Sequence, residues 1–545
     1  MRAPQPAPSD APVVLPEGQP ERDRLSAGGR ARVVINRVQF TGLPPGSLTE
    51  ARLQQAVAGD LRHPLSFAGL EQMAARVTAL YRQDGLLVAR AILPAQTIRE
   101  GVLHIQIVPG YAGATDLQNT SGLRDGVAGR LMSSVMPEGV VMTRSRVERG
   151  ALLLSDIPGV NTRVALKAGD KNGTTSQVVT LTPGQRTGGY AGLDNQGDPT
   201  TGRSRVMVGG FANNLLGLGD QLRVDLLDAY EHSDLLNGSL DYSLLAGGAY
   251  GTRVGGSYSH LNYRYSLSGL GFRGYSDNWG LYVTQPWVRT PRARVDVRLD
   301  VGQQFLTDKY PSQLAQFTGG STAGHKRADL GTLSVSGSVL SLPGGLTQFS
   351  VSGTSGSVSL RDDTSRFWSG AERTGSDGAF ARLGYRLSHE QEIHGPFSVY
   401  AGVNGQMASH NLDASQKLLL GGPNGVRAYD VGDGAVDEGL TGTVELRARR
   451  DVAVPFLTGH TPQLTGAVFY DQGWGNQYRD NRARGGSRLS DNNALTLSGA
   501  GLSAGIGEAG SYQVSLTWAH RTGNADPNAV HDDRNRFWVS AIKTF

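Results

Sequence analysis

A chain of 545 residues is longer than one hydrophobic core normally organises, so at least two structural units are expected. Its 52 basic and 48 acidic residues nearly cancel and no module concentrates the basic ones, which argues against a nucleic-acid binder; without cysteine, disulfides and thiolate metal sites are excluded. The 75 glycines follow no G-x-y period, which excludes collagen and leaves frequent chain turns as their use.

Residues 1–32 are rich in proline, glycine and charge and read as a flexible leader. Met1–Pro12 lacks the apolar h-region of a secretory signal peptide. Val33–Phe40 is strand-like. A helix from Thr49 to Leu61 puts Leu53, Val57 and Leu61 on one stripe, with Thr49 as N-cap. A second helix, Ser66 to about Gln83, repeats Leu70, Met73, Val77, Leu80 and Tyr81 at helical spacing and stops at Gly85. Strands Val88–Leu93 and Val102–Val108 close a βααββ unit over 33–111. The order recurs over 112–184: a strand before Ser121, helices Arg124–Val135 and Thr143–Leu154, and a hairpin of Val160–Ala168 and Ser176–Thr182 turning at Asn172-Gly173.

From Gly188 onward the helical patterns stop. Leu222, Val224 and Leu226 alternate with Gln221, Arg223 and Asp225; Val444 and Leu446 with Glu445 and Arg447; Tyr512, Val514, Leu516 and Trp518 with Gln513, Ser515 and Thr517. A soluble sandwich alternates too, but this region is too long for one. No run of about 18 apolar residues occurs, so there is no transmembrane helix, whereas a barrel strand needs only about 10 residues and meets lipid at every second one. The mean hydropathy of −0.29 fits either a soluble β protein or such a barrel. The region 185–545 accommodates about 16 antiparallel strands of that length. Lys309–Arg327 and Arg479–Asn493 read as long extracellular loops, and His531–Arg536 as an exposed charged loop before the last strand. In that strand Phe537, Val539, Ala541 and Phe545 share a lipid face that Lys543 interrupts, a lysine placed to snorkel.

Three stretches carry a family resemblance. Residues 81–110, with Tyr81, Gly85, the Leu93-Pro94-x-Gln96 step and Gly101 leading into the last strand, resemble the first POTRA domain of two-partner secretion transporters. That group (TpsB, the ShlB/FhaC/HecB-like haemolysin secretion/activation proteins) belongs to the outer-membrane protein-85 superfamily. Residues 416–429, containing Gly421, Gly422, Val426, Arg427, Ala428 and Tyr429, resemble the superfamily's loop-six motif, with Ala428 where glycine is usual. Phe469, Asp471 and Gly473 resemble its F-x-D-x-G strand motif, with weaker echoes at 193–197 and 216–222. The period of two sends Phe469, Asp471 and Gly473 to the face opposite Val468 and Tyr470; if the latter face lipid, Asp471 points into the lumen, where a carboxylate is tolerable.

The resemblance implies two periplasmic POTRA domains, 33–111 and 112–184, ahead of a barrel in the outer membrane of a Gram-negative bacterium. The POTRA units would catch an unfolded secreted partner (a TpsA-type haemolysin, adhesin or similar protein), and the barrel would export it. A loop near 420–440 would fold into the lumen, Arg427 gripping Asp471 as a conformational lock. Phe537 and Phe545 would serve the barrel-assembly machinery as a C-terminal signal, and outer-membrane lipid would surround the barrel. Relatives often carry an N-terminal plug helix, but residues 1–32 show no amphipathic stripe for one. The alternatives are an assembly factor of the same superfamily, usually with more POTRA units, or a passive porin-like channel, which needs none. No enzyme is expected and no cofactor or metal: Gly421–Gly425 lacks a P-loop ending, no H-E-x-x-H or G-x-S-x-G occurs, and Asp430, Asp433, Asp437 and Glu438 do not match the spacing of a Ca²⁺ loop.

Overall fold

The computed structural model describes residues 13–14, 32–46, 48–229, 235–267, 270–341, 343–452, 461–527, 529 and 532–545. The expected leader and any plug lie outside the described residues, apart from Val13–Val14 and Arg32.

The first unit is β1 (Arg37–Thr41), α1 (Glu50–Val57), α2 (Phe67–Gln83), β2 (Arg90–Ile92) and β3 (Val102–Val108), with β3 between parallel β1 and antiparallel β2. Ser66 caps α2 by accepting from the Gly69 amide, whereas Thr49 occupies the N-cap of α1 without a side-chain bond. The helical stripes predicted from spacing bury Leu53, Val57, Met73, Val77 and Tyr81 against Val38, Leu103 and Ile105. Each such side chain contributes about 1.5–3 kcal/mol relative to exposure.

The second unit repeats the plan in β4 (Tyr111–Asn119), α3 (Asp125–Val135), α4 (Arg144–Ser155), β5 (Val160–Ala168) and β6 (Thr174–Pro183). Its sheet runs β5-β6-β4, and Val13–Val14 add in parallel to the outer edge of β5 at Val164 and Ala165. The Arg144 amide donates to the Gly85 carbonyl, joining the two units.

Sixteen antiparallel strands, β7 (Thr187–Asp194) to β22 (Asn535–Thr544), then close into a barrel. The seam pairs Tyr190 with Thr544 through Asp194 with Ser540, and Gly189 and Phe545 exchange backbone bonds at 2.8 and 3.0 Å. The alternation resolves the choice between sandwich and membrane barrel by its direction: Val224, Leu226, Val444, Leu446, Val468, Leu502 and Leu516 are exposed on the outside, and the polar partners of each strand line the lumen. An apolar skin around a polar interior suits lipid and not water. Lys543 donates to the Ser511 hydroxyl at 2.9 Å, drawing its charge to the turn at the membrane edge.

The second unit docks on one barrel rim. Asp156 receives a two-pronged bond from Arg289 at 2.7 and 2.9 Å, Arg149 donates to the Pro286 and Trp287 carbonyls, and Leu245 joins the second unit's core. This marks the periplasmic end. Two expectations for the opposite end need correction. Loop 361–377 is not helix-free: it holds short helices Asp363–Trp368, with a capping box on Asp362, and Ala371–Thr374. Of the segments read as loops, 479–493 holds no strand, whereas 309–327 is partly strand. Ala293–Lys309 ends on the first residue of 309–327 and Ala323–Leu340 begins within it, because strand residues standing above the membrane are as polar as loop residues.

Candidate functional site

The loop between β17 (Phe397–Ala408) and β18 (Glu438–Asp451) turns back into the barrel. Its stem is a two-residue ladder, Leu418–Leu419 with Ala435–Val436, and its tip begins at Gly421 and Gly422. Leu420, Val426, Ala428 and Tyr429 are buried against Phe469, Leu495 and Leu497 of the inner wall. A loop that buries this much apolar surface is a packed element with a defined seat.

Arg427 is held at that seat by its side chain and its backbone. Nε donates to Asp471 Oδ2 at 2.9 Å and Nη2 to Asp471 Oδ1 at 2.8 Å, the fork geometry of a bidentate pair. The Arg427 amide also reaches Oδ2, at 3.1 Å. Nη2 further meets Thr443 Oγ1 at 2.9 Å and Glu445 Oε1 at 2.7 Å, and Thr443 donates to Asp471 at 2.7 Å. The guanidinium lies 3.4 Å from the centre of the Phe469 ring, a cation–π contact. Trp538 of β22 donates its indole N–H to the Arg427 carbonyl at 2.8 Å. Asp471 is 1% exposed, so its charge depends on these partners.

The three residues of the strand motif, on β19 (Gln463–Asn476), thus have separate tasks. Phe469 is the platform and Asp471 the anchor. Gly473 leaves room, since a Cβ there would sit 3.0 Å from a Val426 methyl. Ala428 is not among the residues with positive φ, so replacing the usual glycine strains nothing. Its methyl is accommodated because Gly499, opposite on the wall, has no side chain; a Cβ at Gly499 would overlap it. Tyr429 donates to the Asn524 carbonyl at 2.7 Å.

The acidic residues after the tip are dispersed among separate cations. Asp430 takes Arg203 at 3.2 Å and Arg536 at 2.8 Å, Asp437 takes Lys417 at 2.8 Å, and Glu438 takes Arg479 at 2.9 Å. Asp433 accepts from the Asp430 amide at 3.0 Å. Arg536 corrects the reading of His531–Arg536 as an exposed loop: it is on β22, faces inward and is 5% exposed. His531 lies outside the described residues. Further pairs line the lumen: Arg294 with Asp296 at 2.7 Å, Arg298 with Asp300 at 2.6 Å, and Glu390–Arg447–Glu445 linked at 2.7 Å each.

The residues quoted from the first unit lie far from this lumen site and hold their own fold. Tyr81 is fully buried, Gly85 ends α2 at φ 94°, and Leu93 packs on the core. Gln96 acts as a side-chain bridge: its amide nitrogen donates to the carbonyls of Pro94 and His104, and its oxygen accepts from the His104 amide. The Gly101 carbonyl accepts from Asn36 and Arg37, tying the turn to β1. Phe537 and Phe545 project outward at the two ends of the last strand. Sequence reasoning missed Glu445, Thr443 and Trp538. Alternation put Glu445 on the polar face but could not say that it meets Arg427.

An apolar-skinned barrel carrying a latched inner loop and small α/β units at its periplasmic rim defines an outer-membrane transporter of the POTRA-and-barrel class. Residues 33–110 match the POTRA domain, ShlB-type, and residues 173–506 match the haemolysin secretion/activation protein ShlB/FhaC/HecB. The chain belongs to that family and is a two-partner secretion outer-membrane transporter with its POTRA region in the periplasm. It is 31% identical to the heme/hemopexin transporter protein HuxB of Haemophilus influenzae, covering 98% of this chain and 92% of the relative. The outer membrane transporter CdiB of Escherichia coli is 29% identical over 34% of this chain and 31% of its own. A solved structure, CdiB from Escherichia coli, shares the fold with a TM-score of 0.71 at 19% identity, covering 97% of this chain and 93% of that one. BamA from Haemophilus ducreyi lacking POTRA domains 1–3 gives 0.54 at 12% identity, covering 94% and 100%. The assembly-factor and porin readings are not favoured by these likenesses.

Proposed function

We propose that Arg427 and Asp471 are a conformational lock: they hold the inner loop in its seat until an arriving partner displaces it. The single observation that carries this is the fork from Arg427 to Asp471, made at a loop tip seated on the inner wall of the barrel. A loop so placed narrows the route a polypeptide would take, and a charge-paired tip can be released without unfolding the barrel. No covalent step is required of either residue.

Residues 33–111 and 112–184 act as two POTRA domains, and 185–545 as the barrel. The secreted partner is a TpsA-type protein that arrives unfolded and adds as an extended segment to a POTRA sheet edge, where main-chain bonds give affinity and side-chain pockets give register. The pairing of Val13–Val14 with β5 supports this, because it marks that edge as open to strand addition. Folding of the partner outside the cell supplies the direction of transport. The barrel-assembly machinery inserts the chain, reading the last strand with Phe537 and Phe545.

The test is charge reversal, Asp471→Lys, in cells co-expressing the partner. Surface delivery of the partner is expected to be lost while the barrel keeps its heat-modifiable gel mobility. Undiminished delivery by a correctly inserted variant would refute the lock.

A further inference from the structure

Most lysine and arginine side chains on the barrel strands point inward, into paired networks. Among the described residues six do not, and four of these, Arg264 of β11 (Arg253–Leu267), Arg273 of β12 (Leu270–Arg289), Lys309 of β13 (Ala293–Lys309) and Arg327 of β14 (Ala323–Leu340), face outward on adjacent strands. Their direction follows from strand parity. Tyr258, Trp279, Leu281, Leu299, Val301, Phe305 and Leu333 share it and are exposed, whereas Tyr263, Tyr282, Asp308 and Lys326, of opposite parity, bond within the barrel. All four cations stand at the end away from the Asp156–Arg289 dock, hence at the extracellular side. The other outward strand cations, Arg450 and Lys543, are at the periplasmic rim.

Arg264 is the direct cross-strand partner of Arg273, and Arg273 of Lys309. Like charges directly opposite destabilise a sheet, so the Arg273–Lys309 pair works against the fold unless an anion bridges it. Among the described residues the carboxylates on this face of the same strands are engaged: Asp277 accepts from Tyr258 at 2.7 Å and meets His260 at 2.8 Å, and Asp329 takes Arg327 and Gln303 at 2.6 Å each. Among the described residues Arg273 and Lys309 have no ion pair, and Lys309 lies 5.5 Å from the Tyr275 ring centre. Below the row, Trp279, Phe305 and Leu281 begin the apolar skin.

We propose that this row binds the phosphorylated glycolipid headgroup of the outer leaflet, the lipopolysaccharide class. Its phosphates would bridge Arg273 and Lys309, with Arg264 and Arg327 flanking them, and its acyl chains would run down over Trp279 and Phe305. Guanidinium groups fork onto phosphate oxygens, and the ammonium supplies a point charge. The surface is continuous with the lipid-facing skin, so a membrane lipid is the anion that reaches it. The cations are confined to one arc of the barrel, which makes the contact local rather than a general annulus.

The test uses full-length protein in detergent, titrated with bisphosphorylated deep-rough lipopolysaccharide and followed by native mass spectrometry and thermal melting. The double variant Arg273→Gln/Lys309→Gln is expected to bind about tenfold more weakly for each cation removed. Dephosphorylated glycolipid is expected to bind the wild type as weakly as the variant binds the phosphorylated form. If the double variant lacks a heat-modifiable barrel, Arg273→Gln alone is measured against the same lipids. Unchanged affinity in the folded variant overturns the proposal, as does equal binding of dephosphorylated glycolipid. Equally tight phosphatidylglycerol would replace glycolipid recognition by plain anion attraction and also overturn it.

Discussion

At the scale of single residues, the inner loop is seated by shape as much as by charge. The Ala428 methyl fits only because Gly499 is bare, and Val426 fits only beside Gly473. A methyl at Gly499 therefore competes with the loop for one space. Gly499→Ala is expected to unseat the loop, lowering partner secretion and raising protease cleavage within 420–437. Ala428→Gly added to it is expected to restore both, a coupling that a double-mutant cycle measures directly. Arg427 and Asp471 were legible in the sequence because they sit in recognisable motifs on a definable face. Whether Ala428 would be strained was not legible, since that depends on a backbone angle. Nor were Trp538 and Arg536, whose contacts join segments more than a hundred positions apart.

At the scale of elements, the period of two carries most of the information. It placed Val468 and Tyr470 on one face of β19 and Asp471 on the other, and the barrel keeps that assignment. A charge on the lipid face of this strand has no partner and little water. Val468→Arg is expected to destabilise the barrel by about 2–4 kcal/mol if the site is near the bilayer midplane, measured by urea titration of folding into vesicles. Strand ends were less legible. Alternation persists above the membrane while the outward residues turn polar, so Lys309 and Arg327 looked like loop and are strand. The short helices of 361–377 were missed for another reason: at 6 and 4 residues they are too brief to show a helical period.

At the scale of the whole molecule, the two α/β units and the barrel were separable in the sequence by the switch from helical spacing to alternation. Their docking was not. The Asp156–Arg289 fork and the burial of Leu245 in the second unit's core depend on which hairpins reach the rim, and no local pattern encodes that. The lumen adds a property of the assembled wall. Arg294 with Asp296 and Arg298 with Asp300 neutralise one another within a strand, and Glu390 reaches Arg447, itself paired with Glu445, across the intervening strand β17. Such a wall offers little net potential to a passing ion. In a planar bilayer under a potassium chloride gradient, the current through this channel is expected to reverse close to zero millivolts; a reversal near the potassium or chloride equilibrium potential would contradict that. A conduit indifferent to the sign of charge lets acidic and basic stretches of one polypeptide pass in the same way, and leaves the choice of cargo to the periplasmic side.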